Sequence, residues 1–84
     1  MNINNLYKAL QDLGIDEIYY SLNNLDFGIF NPDTWYLTRS PDIWKFFYVD
    51  DRGNRDDEKV FKDEHSACMY IYDFFVKKQQ YYKK

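Results

Sequence analysis

Cysteine, histidine, proline and glycine are all scarce in this 84-residue sequence: one, one, two and three residues respectively. The single thiol, Cys68, cannot close an internal disulfide, and such sparing use fits a reducing compartment. No apolar run approaches the roughly 18 residues of a membrane span. The stretch Met1-Asn2-Ile3-Asn4-Asn5 has neither a basic n-region nor an apolar h-region, so it does not read as a secretory signal. His65 and Cys68 are two soft ligands, too few for a four-ligand zinc site in one chain. The glycines form no phosphate-binding loop, and no nucleophile elbow is present. These absences lead to the expectation of a cytoplasmic, non-enzymatic protein with no cofactor, no catalytic residues and no metal.

What the sequence has in quantity is aromatic bulk: nine Tyr, seven Phe and two Trp. A chain of this length makes one domain, read as 1–84 with a frayed tail at 79–84. It can bury only roughly 60–65% of its unfolded surface, so the core is thin. Aromatics compensate, because each buries roughly 150–250 Å². Net charge is −3 and unevenly spread. Residues 1–64 carry 13 acidic and 7 basic side chains, whereas residues 65–84 carry one acidic and four basic. An acidic body disfavours a phosphate backbone, which needs Lys and Arg to displace counterions. No nucleic-acid or membrane partner is therefore expected, and a basic protein partner would be favoured.

The expected fold class is α+β: an N-terminal helix, a three- or four-stranded antiparallel sheet and a long C-terminal helix. Ile3, Leu6, Tyr7, Leu10 and Leu13 recur at spacings of three and four, the apolar face of a short helix ending at Gly14. Residues 17–22 read as a strand and Asn23-Asn24-Leu25-Asp26 as a turn. Residues 27–30 fit either a brief strand or a tucked loop. Thr34 to Arg39 reads as a strand between two proline turns. Ile43 to Val49 is the strongest strand signal. Trp44, Phe46 and Tyr48 point to one side, and Ile43, Phe47 and Val49 to the other, as in a strand covered twice. Residues 50–54 form a hairpin turn around Gly53, and Lys59-Val60-Phe61 returns. Asp63 caps the last helix, whose apolar face is Ala67, Cys68, Ile71, Phe74 and Phe75. Trp44, Phe47, Ala67, Ile71 and Phe74 are expected at the centre of the core.

His65 and Cys68 are three apart on a helix and could in principle pair, but no third group orients the histidine. A solvent-facing His65 and a buried, inert Cys68 fit better. Residues 50–58 have the carboxylate density of a calcium loop, but Arg52 and Arg55 interrupt the alternate ligand spacing. That density has another use. Asp50, Asp51, Asp56, Asp57 and Glu58 on a projecting hairpin would steer a basic partner. Tyr19, Tyr20, Trp35 and Tyr36 are the candidate aromatic anchors, since exposed Tyr and Trp often serve in that role.

The run Trp44-Lys45-Phe46-Phe47-Tyr48, then Arg52-Gly53, Phe61-Lys62-Asp63-Glu64 and Ala67-Cys68-Met69-Tyr70 resembles small α+β immunity proteins of bacterial polymorphic-toxin and contact-dependent inhibition systems. The likeness spans residues 43–71, and Ile18 to Leu22 is similar to that family's first strand. It implies a protein that neutralises a cognate toxin, for example a basic nuclease, by binding and occluding it. The alternative is a phage- or host-encoded regulatory adaptor with another protein target. Oligomeric state is left open by the sequence.

Overall fold

Asn2 starts the chain's first helix through a reciprocal cap. Its side chain accepts the Asn5 N–H at 2.8 Å, and its own N–H donates to the Asn5 side chain. This satisfies two donors that a helix start otherwise leaves orphaned. In the computed structural model, which describes residues 1–25 and 30–84, helix α1 spans Ile3–Asp12. Gly14, at φ +79°, supplies the left-handed residue that reverses the chain there. The described residues then form a 3-10 turn (Glu17–Tyr19) and strands β1 (Tyr20–Leu25), β2 (Thr34–Arg39), β3 (Trp44–Val49) and β4 (Arg55–Phe61). Helices α2 (Glu64–Lys77) and α3 (Gln79–Tyr82) complete them.

The four strands lie in sequence order, but the sheet is mixed. β1 runs parallel to β2, and only β2–β3 and β3–β4 are antiparallel. The expected all-antiparallel sheet is thus corrected at its first pair. A parallel pair cannot be closed by a tight hairpin, so β1 and β2 are not the hairpin neighbours expected of an antiparallel sheet. The expected turn at Asn23-Asn24-Leu25 is also replaced, because these residues complete β1. Asn23 takes φ +62° and the register slips by one residue between Ser21 and Asn24. The Asn24 amide then donates to the Leu37 carbonyl at 3.3 Å, filling a gap in the ladder. The question of a strand at 27–30 lies largely outside the described residues; Phe30 itself is not in a strand.

Helices α1 and α2 cover one face of the sheet. Leu6 and Leu10 of α1, Tyr20 and Leu22 of β1, Trp35 and Leu37 of β2, Phe46 of β3 and Ala67, Cys68, Ile71 and Phe75 of α2 form one buried cluster. Glu64 ties the helices together by accepting the Ile3 N–H at 2.9 Å. Trp35 stacks on Phe46 at 4.8 Å and meets Phe74 edge-on at 4.6 Å. Such pairs add about 0.5–1.5 kcal/mol each beyond their buried area.

The other face holds a second, smaller cluster of Tyr36, Phe47 and Val49, with Phe30 packed on it. This corrects the expected core centre. Phe47 is fully buried but faces away from α2, and Phe46 occupies the place between β3 and the last helix. Trp44 sits at the rim of the main cluster, half-buried, with Arg39 6.0 Å from its ring. That β3 is apolar on both sides follows from its two covered faces.

The C-terminal helix, expected to be long, has 14 residues. Asp63 caps it, accepting the Ser66 N–H at 2.7 Å. The tail beyond is docked, in contrast to the frayed segment expected at 79–84. Tyr82 is buried, its hydroxyl accepts the Trp35 indole N–H at 3.0 Å, and its carbonyl accepts the Asp16 N–H at 3.0 Å. Lys83 bridges to Ile15, and Gln79 donates to the Leu13 carbonyl. Among the described residues no helix is long and apolar enough to cross a membrane.

Candidate functional site

The β3–β4 hairpin begins with Asp50, whose carboxylate is committed to the turn. It accepts the N–H groups of Arg52 at 2.9 Å and Asn54 at 2.8 Å. Gly53 takes φ +83°, as such a turn requires. β4 then starts at Arg55, four residues earlier than the apolar Lys59-Val60-Phe61 signal. Asp57, at φ +54°, is the extra residue of a bulge between the Phe46–Lys59 and Tyr48–Asp56 pairs. Aspartate tolerates that backbone better than most residues. A bulge and a row of charges keep an edge strand from pairing with other strands.

The five hairpin carboxylates therefore differ. Asp50 caps the turn. Glu58 lies 3.5 Å from Arg55, whose guanidinium also covers Phe47 at 4.2 Å and Phe30 at 5.2 Å. Asp51, Asp56 and Asp57 are exposed and project from the tip and the edge. Asp56 pairs in register with Tyr48, so its side chain lies on the helix-bearing side of the sheet.

The four aromatic anchor candidates separate sharply. Tyr20, Trp35 and Tyr36 are buried, at 5%, 7% and 6% exposure, and belong to the packing of the two clusters. The Tyr36 hydroxyl accepts the Asn31 N–H at 2.8 Å. Tyr19 alone reaches the surface. It packs edge-on against Tyr82 at 5.0 Å and helps to line a groove of about 360 Å³ with Asp33, Tyr48, Tyr81 and Tyr82. Tyr81 is 78% exposed. The groove forms because four segments meet at one end of the sheet: the 3-10 turn before β1, Asp33 just ahead of β2, the last residues of β3 and the docked tail.

Within it the Tyr48 hydroxyl donates to Asp33 at 2.9 Å. Burial and this bond push the Tyr48 pKa up to about 12. The phenol is therefore held protonated, as a donor and not as a base. Asp33 is fixed from its other end, its N–H donating to the Val49 carbonyl at 2.7 Å. Tyr48, Tyr81 and Tyr82 were not among the sequence candidates. A tyrosine on the core side of a strand reads as core, and a polar tail reads as unpacked.

His65 is exposed and its Nδ1 faces the Met1 amino group, while Cys68 is fully buried. Burial, then the nearby Glu64, raises the Cys68 thiol to about 11. Among the described residues no group of three or more His, Cys, Asp or Glu is placed to hold a metal ion. Comparison with models of protein families, with curated proteins and with solved structures returns no match.

Proposed function

We propose that this chain is a non-enzymatic protein-binding domain of the immunity type, acting in the cytoplasm by occluding a bacterial toxin. The observation that carries the reading is the hairpin. Asp51, Asp56 and Asp57 stand exposed on a bulged edge, and Asp56 pairs in register with Tyr48, which lines the tyrosine groove. Clustered carboxylates beside tyrosines suit a basic surface, because the charges steer the encounter and the rings supply rigid contact area. A basic nuclease cleft is a partner of that kind. The resemblance of residues 43–71 to immunity proteins supports the same reading.

Growth protection tests it. Expression of a toxin encoded beside this chain should arrest host cells. Coexpression of the chain should restore growth, and the purified pair should form a stable complex in which the toxin's activity is lost. Growth arrest unaffected by the chain, with no complex on gel filtration, would overturn the proposal. Capture of an unrelated regulatory protein, bound without loss of any toxic activity, would favour an adaptor.

A further inference from the structure

We propose that the groove between Tyr19, Asp33, Tyr48, Tyr81 and Tyr82 is a socket for an arginine side chain of the protein partner. This rests on the protein-binding reading above and names what the site would take. The groove is complementary in charge to a cation. Four phenol rings and one carboxylate line the groove, and no cation is among its lining residues. Tyr19 and Tyr81 both pack edge-on against Tyr82, at 5.0 Å and 4.8 Å, so rings of different tilt wall the space. Aromatic faces carry negative potential and attract a cation within about 6 Å of the ring centre.

Asp33 supplies the counter-charge. A carboxylate has about four acceptor positions, and the Tyr48 hydroxyl uses one of them. A guanidinium presents five donors in a planar fork and stacks on rings, whereas an ammonium is a compact, strongly hydrated charge. A groove walled by phenol rings with a carboxylate among them thus suits arginine. The Tyr48 bond and the Asp33 N–H bond to Val49 hold that carboxylate in place before a ligand arrives, which lowers the ordering cost of binding. Asp56, in register with Tyr48, extends the same negative field.

The probe is the tripeptide acetyl-Gly-Arg-Gly-amide, titrated to millimolar concentration into the ¹⁵N-labelled chain. The neutral citrulline tripeptide is the control. Saturable amide shifts should centre on Tyr19, Asp33, Tyr48 and Tyr81 with the arginine peptide and be absent with citrulline. Tyr81→Ala, which removes an exposed ring, should weaken binding about two- to fivefold. Asp33 sits at φ +58°, which asparagine tolerates, so Asp33→Asn keeps both backbone and side-chain shape and should weaken binding at least as much. Equal shifts with citrulline, shifts centred on the hairpin tip, or no saturable shift in the groove would each overturn the socket. Failure here with growth protection intact removes the socket and leaves the protein-binding reading standing.

Discussion

Replacing Phe46 by leucine, and Phe74 likewise, probes the two-faced sheet. Phe46 is 1% exposed, stacks on Trp35 at 4.8 Å and meets Phe74 at 5.6 Å. Full truncation to alanine at such a site costs about 3–5 kcal/mol. A domain has only about 5–15 kcal/mol in total, so alanine variants here are poor reagents. Leucine keeps most of the apolar volume but loses the ring contacts, for a cost of about 1–2 kcal/mol. Phe46→Leu and Phe74→Leu share a contact, so their double variant should deviate from additivity by about 0.5–1.5 kcal/mol. Phe47 is equally buried but packs with Tyr36 and Phe30 on the opposite face. Phe47→Leu combined with Phe74→Leu should therefore add to within about 0.5 kcal/mol. Urea denaturation of all five variants, with slopes held in common, gives these numbers. Coupling of Phe47 to Phe74 as large as that of Phe46 would refute the assignment of the faces.

The buried Tyr20 hydroxyl has no hydrogen-bond partner among the described residues. An unsatisfied buried polar group costs about 1–3 kcal/mol, so Tyr20→Phe should be neutral or stabilising in the same assay; a loss above about 1 kcal/mol would reveal a partner. Cys68 should resist thiol reagents in the native protein and react at the rate of unfolding, because burial disfavours the thiolate. Prompt labelling in native buffer would contradict this. Tyr48 has a folded pKa above its ordinary value near 10, at about 12. Its contribution is thus fully present below pH 10 and is lost as pH rises toward 12. Thermal melts should show that alkaline loss reduced in Tyr48→Phe, and an unchanged alkaline slope would separate Tyr48 from it.

Much of the fold is legible in the chain because local chemistry agrees with the tertiary result. The apolar spacing of Ile3, Leu6 and Leu10 gives α1, Asp63 opens α2, Gly53 turns the hairpin, and the alternation in 44–49 names both faces of β3. The misses also have physical causes. No local pattern distinguishes a parallel β1–β2 pair from an antiparallel one, since side-chain alternation along a strand is the same in both. Asn23 reads as a turn because it favours positive φ, but here that conformation makes a bulge within β1. β4 lacks alternation over Arg55 to Glu58 because its edge is solvated. The candidate groove is half visible in the sequence. Tyr19 was found, whereas Tyr81 and Tyr82 belong to a tail held by long-range bonds to Trp35, Asp16 and Leu13 that no short window of sequence contains.

The hairpin carboxylates are proposed to steer a basic protein partner. The most direct test is the association rate of the purified pair, measured by stopped flow at low and high salt. The comparison is between the native chain and the triple variant Asp56→Asn, Asp57→Asn, Glu58→Gln. Asparagine accepts the positive φ of Asp57, so the bulge should survive. The variant should associate more slowly at low salt, and the gap should close as the Debye length falls from about 30 Å at 0.01 M to about 3 Å at 1 M. Equal association rates at low salt would contradict steering by the hairpin and move the binding face elsewhere.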